Sequence, residues 1–219
     1  MLVIFDWDGT VVDSKSHIVK AMQMAITELN WTNPSDDYCA QMIGLGLTQT
    51  ALALFPNIDL KDCDRFAKLY STFFSELKAT EGGTIYFPTV LDTFSKLVNK
   101  GHQLAIATGK SRRGLNQALE ADQLNKFFIA TKTADEAFSK PNPTMLIEIL
   151  NETNTIVSEA IMVGDTTYDM QMAHSIGMHR VAVTYGVHSI EQMSPYKPFA
   201  FIDRMSNIID CINKIENSF

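Results

Sequence analysis

Six short runs along the chain are apolar at every position: 2–5, 104–107, 127–130, 160–163, 181–183 and 199–202. An unbroken apolar run of this length suits a central parallel strand buried on both faces, rather than a half-exposed strand that alternates. Most of the intervening segments carry helical spacing instead. Val90, Leu91, Phe94, Leu97 and Val98 repeat at one helix face, and Gly101 follows as a stop. Strand alternating with helix predicts an α/β fold built on a doubly wound parallel sheet.

Residues 14–81 interrupt that alternation. Ile18, Met22, Ala25, Ile26 and Leu29 form one apolar stripe, and Phe66, Leu69, Tyr70 and Phe73 form another, with no strand run between them. The whole stretch reads as helical, and Gly82-Gly83 punctuates the chain before the strand pattern resumes. The division expected is a core in two parts, 1–13 and 82–219, with a helical cap, 14–81, inserted after the first strand. An insertion leaving a strand's C-terminal end lies over the edge where open α/β sheets bind ligands, so a lid is expected from position alone.

Composition narrows the function without naming it. A chain of 219 residues with 46% hydrophobic and 20% charged residues is ordinarily globular. A formal net charge of −7 speaks against a nucleic-acid partner, which would need a basic face. No segment has the ~20 apolar residues of a membrane helix, and no signal peptide is apparent. Cys39, Cys63 and Cys211 are scattered and odd in number. Reduced thiols in the cytoplasm are the simplest reading.

Candidate chemistry gathers at four strand ends. Asp6-Trp7-Asp8-Gly9-Thr10 follows the first run. Its two carboxylates could serve as nucleophile or metal ligand and as acid/base, or form only a solvated Asp-Gly turn. Thr108-Gly109 ends the second run, where a hydroxyl and free N–H groups can hold phosphate oxygens; Thr-Gly is also an ordinary turn. Lys140 stands before a helix start, with Asn142 expected as N-cap and Pro143 as first helical residue. Gly164-Asp165 ends the run 160–163, and Asp169 lies one helical turn on. Two such acids can bind a hard cation, or can simply cap a helix. All four loops open on one sheet edge, which makes coincidence a poor account of the set.

In order and spacing these motifs resemble the haloacid dehalogenase superfamily, in its branch with a helical cap after the first strand, over nearly the whole chain. The resemblance implies a Rossmann-like sheet with an α-helical cap and a phosphatase working through an aspartyl-phosphate. It implies Asp6 as nucleophile, Asp8 as general acid/base, Thr108 and the Gly109 N–H on the phosphoryl group, and Lys140 neutralising it. It further implies Mg²⁺ on Asp6, Asp165 and the Asp8 backbone carbonyl, with Asp169 in support. The segment 43–46, Tyr86-Phe87-Pro88 and Lys140-Pro141 are similar to phosphoglycolate phosphatases, while Trp7, Thr89 and Gly109 depart from the usual pattern.

The partner implied is a small phosphorylated metabolite, with a monomer or homodimer as the assembly. Two alternatives stand beside the phosphatase. A phosphomutase of the β-phosphoglucomutase type would share Asp6 and Asp8, and a phospho-accepting signalling domain would lack the insertion 14–81. The five histidines form no metal-ligand grouping, and the eleven methionines read as core filler. Lys110, Arg112 and Arg113 read as surface charge, although basic residues at a helix start oppose the macrodipole.

Overall fold

The computed structural model describes residues 1–217. Six strands, β1 (Leu2–Phe5), β2 (Gln103–Thr108), β3 (Phe128–Thr133), β4 (Ala160–Gly164), β5 (His179–Val183) and β6 (Ala200–Ile202), form one sheet. Their order is β3-β2-β1-β4-β5-β6, and every neighbouring pair is parallel. The order runs outward from β1 in one direction and from β4 in the other. The switch point, where open α/β sheets bind ligands beyond their carboxyl ends, therefore falls between β1 and β4.

Alternate residues of the central strands feed two apolar layers. Val3 and Phe5 pack with Phe94 and Leu97 of α5 (Val90–Asn99), Leu115 of α6 (Arg112–Ala121) and Ile208 and Ile212 of α10 (Ile208–Glu216). Leu2 and Ile4 turn the other way, toward Met145 and Ile149 of α7 (Thr144–Glu152) and Met172 of α8 (Thr167–Ser175). Burial on both sides explains why these strands carry no polar alternation. The edge strand β3 differs. It runs on through Thr131, Lys132 and Thr133, beyond the predicted run 127–130, and Phe127 belongs to a 3₁₀ turn, Leu124–Phe127. A half-exposed edge needs no continuous apolar signal.

Between β1 and α5 the chain forms α1 (Lys15–Glu28), α2 (Asp36–Ala40), α3 (Leu47–Leu54) and α4 (Leu60–Thr80), with no strand among 15–80. These helices share an apolar cluster of their own around Ile18, Met22, Ile26 and Phe66. The stretch is not helical throughout, as its pattern had suggested. Ser35 and Asp59 restart helices as N-caps, accepting from the Tyr38 and Asp62 N–H groups at 3.2 and 2.9 Å, after non-helical segments that contain Pro34 and Pro56. Beyond α4, Gly82 and Gly83 adopt φ of +105° and +79°, backbone that other residues reach only at a cost.

At α7 the expected cap shifts by one residue. Pro143 occupies the N-cap position and Thr144 starts the helix, while the Asn142 Oδ1 accepts from the Thr144 N–H at 3.0 Å. The ninth helix, α9 (Ile190–Met193), is a single turn. Among the described residues no helix is long and apolar enough to cross a membrane.

Candidate active site

Asp6 directly follows β1, and its N–H extends the ladder by donating to the Val163 carbonyl of β4 at 2.9 Å. Its side chain is thereby fixed at the switch point, 1% exposed. Asp6 Oδ1 accepts from the Trp7 N–H at 2.7 Å and pairs with Lys140 Nζ at 2.8 Å. Asp6 Oδ2 is buried and has no hydrogen-bond partner. Leaving a carboxylate oxygen both dry and unpaired is costly, so such an atom points to a ligand or to chemistry.

Lys140 lies wholly buried between two acids, with Nζ also 2.6 Å from Asp169 Oδ1. Asp169 gives its other oxygen to Thr166, accepting from the N–H at 3.1 Å and the hydroxyl at 2.7 Å. The Thr166 hydroxyl in turn accepts from the Asp169 N–H, which completes a capping box at the start of α8. The helix-cap reading of Asp169 is thus realised, while its other oxygen pairs with Lys140. Asp165 accepts from the Thr10 hydroxyl at 2.8 Å and the Val187 N–H at 2.9 Å. Gly9 is required beside it: with φ +83°, an added Cβ would lie 2.2 Å from Asp165 Oδ2.

One oxygen each from Asp6, Asp165 and Asp169 lies within 4.8 Å of the others. Three carboxylates facing one ammonium leave two negative charges uncompensated when all are ionised. Burial pushes the Asp6 carboxyl well up, with Lys140 opposing and Asp169 and Asp165 adding to the rise. Burial, then Asp169, pushes Asp165 up to about 7, against the pull of the Val187 N–H and Thr10. Burial alone would lower the Lys140 ammonium, but Asp169 and Asp6 outweigh it and hold it up. An all-oxygen pocket with excess negative charge fits a hard divalent cation. Asp169 is the least available ligand of the three, since Lys140 and Thr166 already engage both its oxygens.

Asp8 stands apart from that cluster. Its Oδ1 accepts from the Ser14 hydroxyl at 2.7 Å, and Lys110 Nζ spans both oxygens at 3.1 and 2.9 Å. Lys110 is therefore no surface charge, contrary to its sequence reading. Arg113 is exposed as that reading expected, and Arg112 is half-buried, pairing with Glu136 and donating to the Thr131 carbonyl. The adverse macrodipole at the start of α6 was the signal for Lys110. Thr10 closes the first motif but had no role read for it, and Ser14 and the 186–188 loop gave no motif that sequence reasoning could use.

Thr108 is 1% exposed at the end of β2, and its hydroxyl accepts from the Lys110 N–H at 3.2 Å. Asp6, Asp8, Thr108 and Gly109 line one cavity of about 1130 Å³, whose other wall comes from α1, α3 and α4. The segment 41–46 of the insertion docks directly on the sheet edge. The Gln41 carbonyl accepts from Tyr168 Oη at 2.9 Å and His188 Nε2 at 3.3 Å. The Gly46 N–H donates to Ser139 Oγ at 2.8 Å. A Cβ on Gly109 would fall 2.5 Å from the Gly44 carbonyl oxygen, so this contact needs glycine.

Residues 3–183 match the family described as haloacid dehalogenase-like hydrolase. The chain is 32% identical over 212 residues to a Dickeya dadantii protein named "Probable phosphatase IndB", covering 95% of this chain and 91% of that one. It is 30% identical to a phosphoglycolate phosphatase of Aliivibrio fischeri, with 95% and 94% covered. It is also 29% identical to the pyrophosphatase PpaX of Bacillus velezensis, with 94% of each covered. By the extent of the family match and the sharing of a third of its residues over nearly its full length, the chain belongs to the haloacid dehalogenase-like hydrolases.

Proposed function

We propose that this hydrolase is a phosphatase that moves the phosphoryl group of a small phosphomonoester first to Asp6 and then to water. The observation that carries the reading is the division of labour on Asp6. Oδ1 is pinned by Lys140 while Oδ2 is buried and free of any partner. A carboxylate held in this way presents one nucleophilic oxygen at a fixed position, which positioning catalysis requires.

In the first step a bond forms between Asp6 Oδ2 and phosphorus as the ester P–O bond breaks. The leaving oxygen takes a proton from the Asp8 carboxyl. In the second step water attacks phosphorus, Asp8 takes its proton, and the P–Oδ2 bond breaks to release phosphate. Lys110 and Ser14 hold Asp8 as the base of the second step. For the first step Asp8 must carry a proton and Lys110 must lie off it. Thr108 and the Gly109 N–H hold phosphoryl oxygens, and Lys140 offsets the charge that gathers near Asp6.

Asp6 and Asp165, with the Asp8 backbone carbonyl, would hold Mg²⁺, and Asp169 would orient Lys140 beside them. Bound there, the ion would neutralise charge on the transferring phosphoryl group. Residues 14–81 act as the cap, excluding water from the sheet edge and selecting the alcohol. The relatives' names make phosphoglycolate and pyrophosphate substrates to assay.

The test is phosphate release from a panel of esters, with and without Mg²⁺ and with no sugar-phosphate acceptor. Asp8→Asn should slow esters of poor leaving groups by ~10²–10⁴-fold and spare the first step for an activated ester. Transfer of the phosphoryl group to an added sugar phosphate, with no release of inorganic phosphate from any ester, would replace the phosphatase with a mutase.

A further inference from the structure

The cavity beyond Asp6 is far larger than a two-carbon acid can fill. At about 1130 Å³ it lies above the ~300–1,000 Å³ common for ligand sites. Its far wall is not uniformly polar. Tyr70 and Phe74, one turn apart on α4, line it with ring centroids 5.8 Å apart and planes only 20° from parallel. Both are half-buried, and Lys110 Nζ stands 4.8 Å from the Phe74 ring centre. That places the Phe74 ring and the Asp8 carboxylate on the same ammonium. Burial, followed by the Asp8 charge, holds the Tyr70 phenol well above its usual range, which puts this wall close to the acid/base.

We infer that the alcohol carried by the substrate bears a planar ring of nucleobase size, seated against Tyr70 and Phe74 while its phosphoryl group lies at Asp6. The inference rests on the phosphatase reading and adds to it the chemical class of the leaving group. Half-buried aromatic faces gain contact from a flat π-surface and tolerate its edge substituents, which is how bases are held without sequence readout. A two-carbon ester would leave the rings facing water. A flexible alkyl chain would fill the volume but lose more rotational freedom on binding.

Ribose 5-phosphate and uridine 5′-monophosphate make a matched pair, because they share the scissile ester and differ in the ring. Hexyl phosphate supplies bulk without a ring. Two readouts are needed: kcat/KM of the wild-type protein with Mg²⁺, and binding of the same three esters to Asp6→Asn by calorimetry. Binding reports the preference whether or not turnover occurs. The expected result is that uridine 5′-monophosphate exceeds both others by about tenfold in affinity. Phe74→Leu, which keeps apolar bulk and removes the ring, should bring its ratio to ribose 5-phosphate to within about twofold. Equal binding of the three esters, a preference for hexyl phosphate, or a ratio unmoved in a folded Phe74→Leu protein would each overturn the inference. A tenfold binding preference without hydrolysis of any ester would support the ring site and reject the phosphatase reading.

Discussion

At the sheet edge, Lys140 is buried between Asp6 and Asp169, and Asp165 is held by Thr10 and Val187. Across the cavity, α4 presents Tyr70 and Phe74 half-buried and joined by ring contacts. Buried charges allow few arrangements, because each must find a partner of opposite sign at hydrogen-bond distance or cost several kcal/mol. Apolar surface is satisfied by many arrangements of similar volume. The edge is therefore where chemistry can be held constant, and the α4 wall is where a related protein can change its substrate without losing its fold.

The sharpest way to break this comparison is to remove charge at the edge. Asp6→Asn should lower single-turnover phosphoryl transfer by at least ~10⁴-fold, the scale of losing a covalent nucleophile. The same change removes a desolvated carboxylate, so the melting temperature of the metal-free protein should stay level or rise. Residual transfer within tenfold of wild type would take Asp6 out of the nucleophile's role.

Lys140→Met tests the other side of the pair. Removing one partner of a buried ion pair typically costs ~3–5 kcal/mol, which for a chain of this size is a fall of roughly 6–20 °C in Tm. Lys78→Met is the control on the cavity wall. Burial, then Lys110, already lowers that ammonium, so its loss should move Tm by no more than about 2 °C. Similar losses for the two variants would erase the distinction drawn here.

A subtler contrast lies in pH. In the metal-free fold Asp165 is pushed up to about 7 from its usual 3.8. Between those values the folded protein keeps a proton that the unfolded chain has released, so stability falls as pH rises through that window and is full below it. Asp165→Asn should flatten this decline. Melting curves in chelator at pH 5 and pH 7.5 would then show a smaller drop for the variant than for wild type. Parallel declines would mean that Asp165 is ionised throughout.

What the sequence made legible follows the same division. Asp6, Thr108 and Asp165 each end a wholly apolar run, and parallel strands bring such ends to one edge, so their convergence could be argued from pattern alone. Asp8 was legible as an acid beside Asp6 but not its partners, because Lys110 reaches it from another strand end and Ser14 carries no motif. The insertion was legible as helices through the stripes at Ile18 and Phe66. Its docking through the Gln41 and Gly46 backbone was hidden, since a main-chain carbonyl or N–H leaves no trace in residue type. Lys132 shows the remaining failure: on an edge strand, polar residues mask the period by which a strand is read.

The smallest effect concerns that docking. Tyr168 Oη and His188 Nε2 both donate to the Gln41 carbonyl, and the Tyr168 and His188 rings lie 5.4 Å apart. Tyr168→Phe deletes one donor and keeps the ring, so the net cost should be ~0.5–1.5 kcal/mol, at the lower end because His188 still serves the carbonyl. Global stability should barely change, since the apolar layers on the sheet are untouched. If the docked insertion is the form that turns over substrate, kcat/KM should fall about two- to tenfold through the reduced docked fraction. The Gly46 N–H bond to Ser139 gives an independent check, because Ser139→Ala should act additively with Tyr168→Phe only if the two contacts hold the segment separately. A double variant no worse than either single one would mean that 41–46 moves as one unit. Wild-type kcat/KM in all three would mean that docking of this segment plays no part in turnover.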